Sequence, residues 1–311
     1  MTQVSVVIPL PNSANQPPAN PMVNPPTPSI NTSGLVVPDK TQYLISSEVR
    51  LLLGAIDKMV VQGMNPNILV SGSQGSGKSE LPAQYAATRG RYLAVLEIGR
   101  LSDSNQIFGY MDLKDGQTVY VKGLFTKAIT TPNTVIHLQE INRPENDKSL
   151  NAIFSVLDDN QRSIWIDELQ SYIQVAPGVT FFASLNEGFE FVGTLPLDEA
   201  LRNRFHFKLQ LQQLPESVEK RLLSDKCGLS FGQISSLMTL VSKLRANTQL
   251  PTFISTRDLV YMAKLIKVDL SVELALKSVI GGDTNKMESI LLSQHLSGAA
   301  THHSEANYDY L

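Results

Sequence analysis

The chain has 311 residues, of which 42% are hydrophobic and 18% charged, and its formal net charge at pH 7 is −3. This composition is typical of a globular protein with room for two domains, and the near-neutral charge argues against a general attraction to nucleic acid or anionic membranes. One cysteine, Cys227, excludes an internal disulfide. The apolar stretches are strand-sized and the N-terminus lacks signal-peptide features, so we expect no membrane span and a cytoplasmic location.

Composition also divides the chain. Residues 1–40 contain nine of the 17 prolines and no charge before Asp39, which predicts a disordered tail. Residues 41–213 alternate strand and helix patterns, which predicts an α/β domain, and residues 214–296 have a helical pattern, which predicts a second, helical domain. Residues 297–311 are predicted to be a flexible C-terminal tail.

A phosphate-binding loop follows the apolar run 68–70. Its sequence fits the P-loop pattern G-x-x-x-x-G-K-[ST] in full. Phosphate binding needs this pattern, because small residues let successive backbone N–H groups converge on a phosphate at a helix N-terminus. Lys78 is expected to reach the outer phosphates of ATP, and the Ser79 hydroxyl to bind Mg²⁺. The predicted nucleotide-binding residues are Gly72, Ser73, Gln74, Gly75, Ser76, Gly77, Lys78 and Ser79.

Further strands alternate with helical segments. Apolar, β-branched runs predict strands at 92–98, 134–138, 180–184 and 205–211, and alternation with helices implies a parallel sheet with nucleotide at its carboxyl edge. Residues 109–123, with Asp115-Gly116 at the turn, predict a β-hairpin, and the alternating stretch 163–175 predicts a second. From Pro215 the pattern is helical.

Polar residues follow two of these strands. Glu140 is expected to orient and polarise the water that attacks the terminal phosphate of ATP. Gln139 stands where P-loop ATPases usually have an aspartate, and an amide cannot supply the negative charge that helps to hold Mg²⁺. Asn186 is well placed to hold the water near the terminal phosphate. Arg202 and Arg204 end a predicted helix at 197–205, and one of them is expected to reach a neighbouring subunit's nucleotide.

Together these motifs resemble the MoxR family of AAA+ ATPases over roughly residues 38–290. The resemblance implies an α/β fold: an αβα P-loop core with a five-stranded parallel sheet and two β-hairpin inserts, followed by a small all-α lid. It also implies a homo-oligomeric ring, usually a hexamer, with ATP between subunits. The segments that carry it are 107–110, 123–125, 140–143, 181–186, 193–196, 199–200 and 204–205, besides the P-loop.

The resemblance assigns three further roles. Asn186 matches sensor 1, Arg204 matches the arginine finger in preference to Arg202, and Arg257 matches sensor 2, which touches the terminal phosphate from the lid. Ser255 and Asp258 independently predict a capping box that begins the helix carrying Arg257.

The predicted function is therefore ATP-driven remodelling or assembly of a protein client. MoxR-like ATPases commonly act with a partner that carries a von Willebrand factor A domain. One alternative is a nucleotide-gated scaffold with little hydrolysis, which Gln139 motivates. Another is a nucleic-acid motor, which the acidic tip Asp167-Glu168 of the second predicted hairpin disfavours.

Overall fold

The computed structural model describes residues 34–100, 107–143, 153–185, 197–246, 254–281 and 308–311. At its centre is a five-stranded parallel sheet of β2 (Asn67–Gly72), β3 (Leu93–Glu97), β6 (Val135–Gln139), β9 (Thr180–Ser184) and β10 (Phe207–Leu211). Their spatial order is β10-β2-β9-β6-β3. This confirms the predicted α/β class and the parallel sheet.

Both faces of the sheet are buried, because successive side chains of a strand point to opposite sides. Leu69 of β2 and Phe181 of β9 belong to one hydrophobic cluster, whereas Ile68 and Phe182 belong to another. Such two-sided burial explains why the strands read as continuous apolar runs. The flanking helices of the core are α1 (Ser47–Val61), α2 (Glu80–Thr88), α3 (Leu124–Thr130) and α4 (Glu199–Arg202), and residues 153–157 are also helical.

Two hairpins project from this core, as predicted. The first pairs β4 (Gly109–Lys114) with β5 (Gln117–Lys122), and its turn residues Asp115 and Gly116 have φ of 51° and 79°. Positive φ at both positions is the geometry that Asp-Gly favours in tight hairpins. The second pairs β7 (Ser163–Ile166) with β8 (Ser171–Gln174).

In the described part of the lid there are four helices: α5 (Glu216–Cys227), α6 (Phe231–Arg245), α7 (Thr256–Lys267) and α8 (Val272–Ile280). They have an apolar core of their own. A fully buried carboxylate, Glu219, accepts from Arg245 Nη1 at 2.7 Å, from Arg245 Nη2 at 3.0 Å and from the Thr256 hydroxyl at 2.7 Å. Because buried charges require such partners, this ion pair fixes α5, α6 and the start of α7 together.

Two segments predicted to be tails include ordered structure. Leu35 is buried in the core, and Val36 pairs with Leu93 at the edge of the sheet. Near the other end, β11 (Tyr308–Tyr310) pairs antiparallel with β1 (Leu44–Ser46). Each of these ordered segments is only two or three residues long and pairs with a segment that is distant in the sequence. The composition of a whole tail therefore does not indicate such a pairing. Predicted helix 197–205 is also shorter, at Glu199–Arg202.

Candidate functional site

The P-loop connects β2 to α2 and lies against both the start of the core and the lid. Gly75 and Gly77 have φ of 73° and 91°, a region that favours glycine. A Cβ atom at Gly77 would lie 2.9 Å from the Tyr43 hydroxyl, and one at Gly75 would lie 2.4 Å from Ser255 Cβ at the start of α7. Glycine is therefore required by the conformation and by the close approach of two other segments.

Lys78 is buried within this loop. The residue is only 8% exposed, and its Nζ donates to the carbonyl oxygens of Gly72 and Ser73, both at 2.7 Å. Burial lowers the pKa of Lys78 from 10.5 to about 8; the nearby Arg257 also lowers it, and Glu140 raises it. The ammonium thus lies in a site where its charge is poorly solvated, and an anion would stabilise that charge.

A cavity of about 220 Å³ brings together predicted nucleotide-binding residues and two of the four predicted catalytic residues, Glu140 and Arg257, from three distant parts of the chain. The P-loop supplies Lys78 and Ser79, the end of β6 supplies Gln139 and Glu140, and α7 of the lid supplies Arg257. The carboxyl ends of neighbouring parallel strands meet at one edge of the sheet, which is where ligands bind in such folds. Among the described residues, no cluster of three or more His, Cys, Asp and Glu forms a metal site.

Glu140 has an unusual backbone conformation, with φ of 54°. Non-glycine residues in this region are strained, and such strain persists where the surroundings hold the residue in place. Its N–H donates to Ser184 Oγ at 3.4 Å, and the same hydroxyl lies 3.0 Å from His137 Nε2 on the adjacent strand. Burial lowers the pKa of His137 to about 4, so this imidazole is neutral at pH 7.

Arg143 is a site residue to which the sequence analysis assigns no role. Its Nη1 donates to Glu140 Oε2 at 3.2 Å, and it lines the same cavity. A tight turn in which the Arg143 N–H donates to the Glu140 carbonyl makes this contact possible. A basic residue three positions after the predicted catalytic carboxylate, Glu140, was the available signal.

Two larger cavities also have P-loop residues in their linings. One, of about 370 Å³, lies between the P-loop and the lid and includes Arg257 and Tyr261. The other, of about 420 Å³, shares Tyr43, Ser76 and Gln212 with it. Segment 42–46, which borders both cavities, carries no recognisable motif, so its position here is not evident from the residue types alone.

Arg204 lies at the opposite edge of the sheet. Its carbonyl accepts from Asn67 Nδ2 at 2.7 Å, and Asn67 begins β2, whereas Gly72 ends it. At about 3.3 Å per residue these ends are about 16 Å apart, too far for Arg204 to reach its own P-loop. Asn186 and the segment 193–196 lie outside the described residues.

Comparison with known proteins decides the family. A family model described as AAA domain (dynein-related subfamily) matches residues 67–205. BssE, a candidate chaperone of Thauera aromatica, is 42% identical over 266 residues, which are 86% of this chain and 92% of that protein. The chain belongs to the MoxR-type AAA+ ATPases.

Other relatives of this AAA+ chain are more distant. NorQ of Paracoccus denitrificans is 26% identical over 215 residues, 68% of this chain and 78% of that protein. RuvB of Thermotoga maritima has a TM-score of 0.51 at 15% identity, covering 82% of this chain and 71% of that one. The FIGL-1 AAA domain in complex with ADP has a TM-score of 0.50 at 13% identity, covering 84% and 92%. Both structures support the predicted core and lid architecture.

In the parts of the chain that the structure describes, the search for a membrane-spanning helix finds no candidate of sufficient length and hydrophobicity. The cytoplasmic location stays a prediction.

Proposed function

We propose that this protein binds and hydrolyses ATP and uses the hydrolysis cycle to remodel or assemble a protein client. The observation that carries the proposal is the 220 Å³ cavity, which gathers Lys78, Ser79, Glu140 and Arg257 at the carboxyl edge of a parallel sheet. This set offers cations for phosphates, a carboxylate for water and a hydroxyl for a metal ion, which are the requirements of phosphoryl transfer.

Phosphate binding is the task of the P-loop and the lid. Backbone N–H groups at the start of α2 face the phosphates, and Lys78 exchanges its contacts with the Gly72 and Ser73 carbonyls for contacts with the outer phosphates. Arg257 approaches the terminal phosphate from α7. Its contribution therefore depends on how the lid sits over the P-loop.

The residues fit Mg²⁺, since Ser79 and Gln139 present a hydroxyl and an amide that are suitable oxygen ligands beside the phosphate site. Bound Mg²⁺ would neutralise charge on the phosphates. Gln139 lacks the negative charge of an aspartate, so we expect weaker Mg²⁺ binding and slow turnover. This residue also favours a second candidate function, a nucleotide-gated scaffold that binds ATP and hardly hydrolyses it.

Water activation is the task of Glu140. Ser184 holds its strained backbone, and Arg143 binds its carboxylate. Asn186, two residues after Ser184, is proposed to position the same water. Arg204 is too far from its own P-loop to reach it, which supports a role at the nucleotide of another subunit and hence assembly into a ring, proposed to be a hexamer.

The client role rests on the relatives. BssE is a candidate chaperone, and 42% identity over most of both chains supports a similar role here. We propose that the ring acts on a protein client, with a partner bearing a von Willebrand factor A domain, and that ATP hydrolysis changes the angle between core and lid.

Steady-state phosphate release tests the proposal. The purified protein should release phosphate from ATP in the presence of Mg²⁺, and Lys78→Ala should weaken ATP binding at least tenfold, about 1.4 kcal/mol, because the loop loses its cation. Lys58→Ala, which removes an exposed lysine on α1, is the matched control. ATP binding without release of phosphate favours the scaffold, and unchanged ATP binding by Lys78→Ala contradicts the assignment of the site.

A further inference from the structure

Strand β11 is attached to the core next to the P-loop. The strand pairs with β1, and the Leu311 N–H that follows it donates to the Tyr43 carbonyl at 3.0 Å. Arg50 Nη2 of α1 donates to the Tyr310 carbonyl at 2.6 Å. Leu311 also packs against the apolar cluster that includes α1 and β2. These contacts make β1 and β11 a two-stranded ribbon on the surface of the core.

The same strand is attached to the lid. Arg221 Nη2 of α5 donates to the Tyr308 carbonyl at 2.8 Å, and the Tyr310 hydroxyl donates to Asp225 Oδ2. The Arg221 guanidinium lies 5.5 Å from the centre of the Tyr310 ring, a cation–π distance. Strand β11 therefore joins two bodies, the core and the lid, whose relative position AAA+ chemistry is expected to change.

The ribbon also borders the nucleotide site. Tyr308 lines the 420 Å³ cavity together with Ser76 of the P-loop, and the Ser76 hydroxyl oxygen is buried without a hydrogen-bond partner among the described residues. Tyr43, which precedes β1, donates its hydroxyl to the Gly77 carbonyl at 3.1 Å. Because polar atoms are rarely buried unpaired, Ser76 points to a ligand on this side of the P-loop.

The lining of this cavity offers a nucleoside both apolar and hydrogen-bonding groups. Its lining combines apolar side chains from Leu44, Leu209 and Leu214 with amides from Gln210 and Gln212. Aliphatic walls with a few amide groups match a flat heterocyclic base and a ribose. Lys208 and Glu48 contribute one charge of each sign to the lining, whereas Lys78 and Arg257 of the phosphate site do not line this cavity.

We infer that β11 forms a wall of the nucleoside site and clasps the lid to the core when nucleotide is bound. The inference rests on the proposed nucleotide binding. The clasp contacts the nucleoside side of the site, so it should contribute equally to ADP and ATP. Arg257 differs from it, because a contact with the terminal phosphate favours ATP alone.

The test measures the affinity of ADP and of a non-hydrolysable ATP analogue by titration calorimetry. Tyr310→Ala removes the Asp225 hydrogen bond and the ring over Arg221. If the clasp is then engaged one tenth of the time, both nucleotides should bind about tenfold more weakly. Arg221→Ala leaves the backbone pairing of β11 intact and should weaken both in the same way. Tyr172→Ala, which removes an exposed tyrosine on the second hairpin, is the matched control and should change neither.

Hydrogen exchange provides an independent readout. ADP should slow amide exchange in residues 43–46 and 308–311 of the unaltered protein, and Tyr310→Ala should remove this protection. Unchanged binding of both nucleotides by Tyr310→Ala and Arg221→Ala overturns the inference, as does a loss confined to the ATP analogue. If the unaltered protein binds neither nucleotide, the proposed function fails instead.

Discussion

The buried ammonium of Lys78 predicts a specific pH dependence of nucleotide binding. Burial places its pKa at about 8, and the phosphates of a bound nucleotide require the protonated form. With this pKa, about 90% of free protein carries the proton at pH 7 and about 10% at pH 9, so the affinity should fall about tenfold, or about 1.4 kcal/mol. At pH 8.5, binding should take up about 0.8 proton per site.

Calorimetric titrations with ADP in buffers of different ionisation enthalpy measure both quantities. Lys78→Arg is the control. Because a guanidinium keeps its proton throughout this pH range, the affinity of this variant for ADP should vary little with pH. An affinity that is flat between pH 7 and 9, or no proton uptake at pH 8.5, would refute the placement of Lys78.

The same pKa shift also has a consequence for folding: burial of the charge costs stability below pH 8, and this cost disappears as the pH rises from 8 towards 10.5.

Three further predictions concern catalysis. Gln139→Asp should lower the Mg²⁺ concentration for half-maximal turnover, since a charged hydrogen bond to the metal's water is worth about 1–3 kcal/mol; an unchanged Mg²⁺ dependence would place Gln139 away from the metal. Ser184→Ala should lower kcat about tenfold with KM for ATP unchanged, because one hydrogen bond that positions Glu140 is lost. Ser184→Thr keeps a hydroxyl and should restore kcat; an equal loss of kcat in both variants contradicts the positioning role of Ser184. Mixing Arg204→Ala with Glu140→Gln chains should restore some turnover, because finger arginines are worth roughly 10³ in rate and one interface keeps both groups; mixed rings that stay inactive exclude action in trans.

The parts of the fold predicted from sequence are those with strong local signals. Strand β9 was predicted at its observed bounds, 180–184, because an apolar run buried on both faces is conspicuous. The Asp115-Gly116 hairpin was found because its turn has a residue-specific conformation. The P-loop was recognisable because its glycines are required by backbone conformation and close packing.

What the sequence did not indicate depends on contacts between distant segments. The pairing of β11 with β1 joins residues more than 260 positions apart, and three-residue strands carry little periodicity. The contact between Tyr43 and Gly77 likewise has no signature in either segment. The Arg143–Glu140 ion pair arises from a turn whose geometry the residue types alone do not specify.

The buried ion pair of the lid indicates how Arg257, the proposed phosphate sensor, is held in place. Glu219 binds the Thr256 hydroxyl, and Thr256 precedes Arg257 at the start of α7. A fixed helix start limits the positions that the Arg257 side chain reaches over the P-loop. The orientation of Arg257 is therefore coupled to the packing of α5 and α6.

Analysis of bound nucleotide tests the central claim, hydrolysis by Glu140 in a site formed with the P-loop. The unaltered protein and Glu140→Gln are each incubated with ATP and Mg²⁺, separated from free nucleotide, denatured and analysed by ion-exchange chromatography. We predict that ADP accumulates on the unaltered protein, whereas Glu140→Gln retains ATP because it binds nucleotide without activating the water. ADP on Glu140→Gln at the level of the unaltered protein would contradict the account.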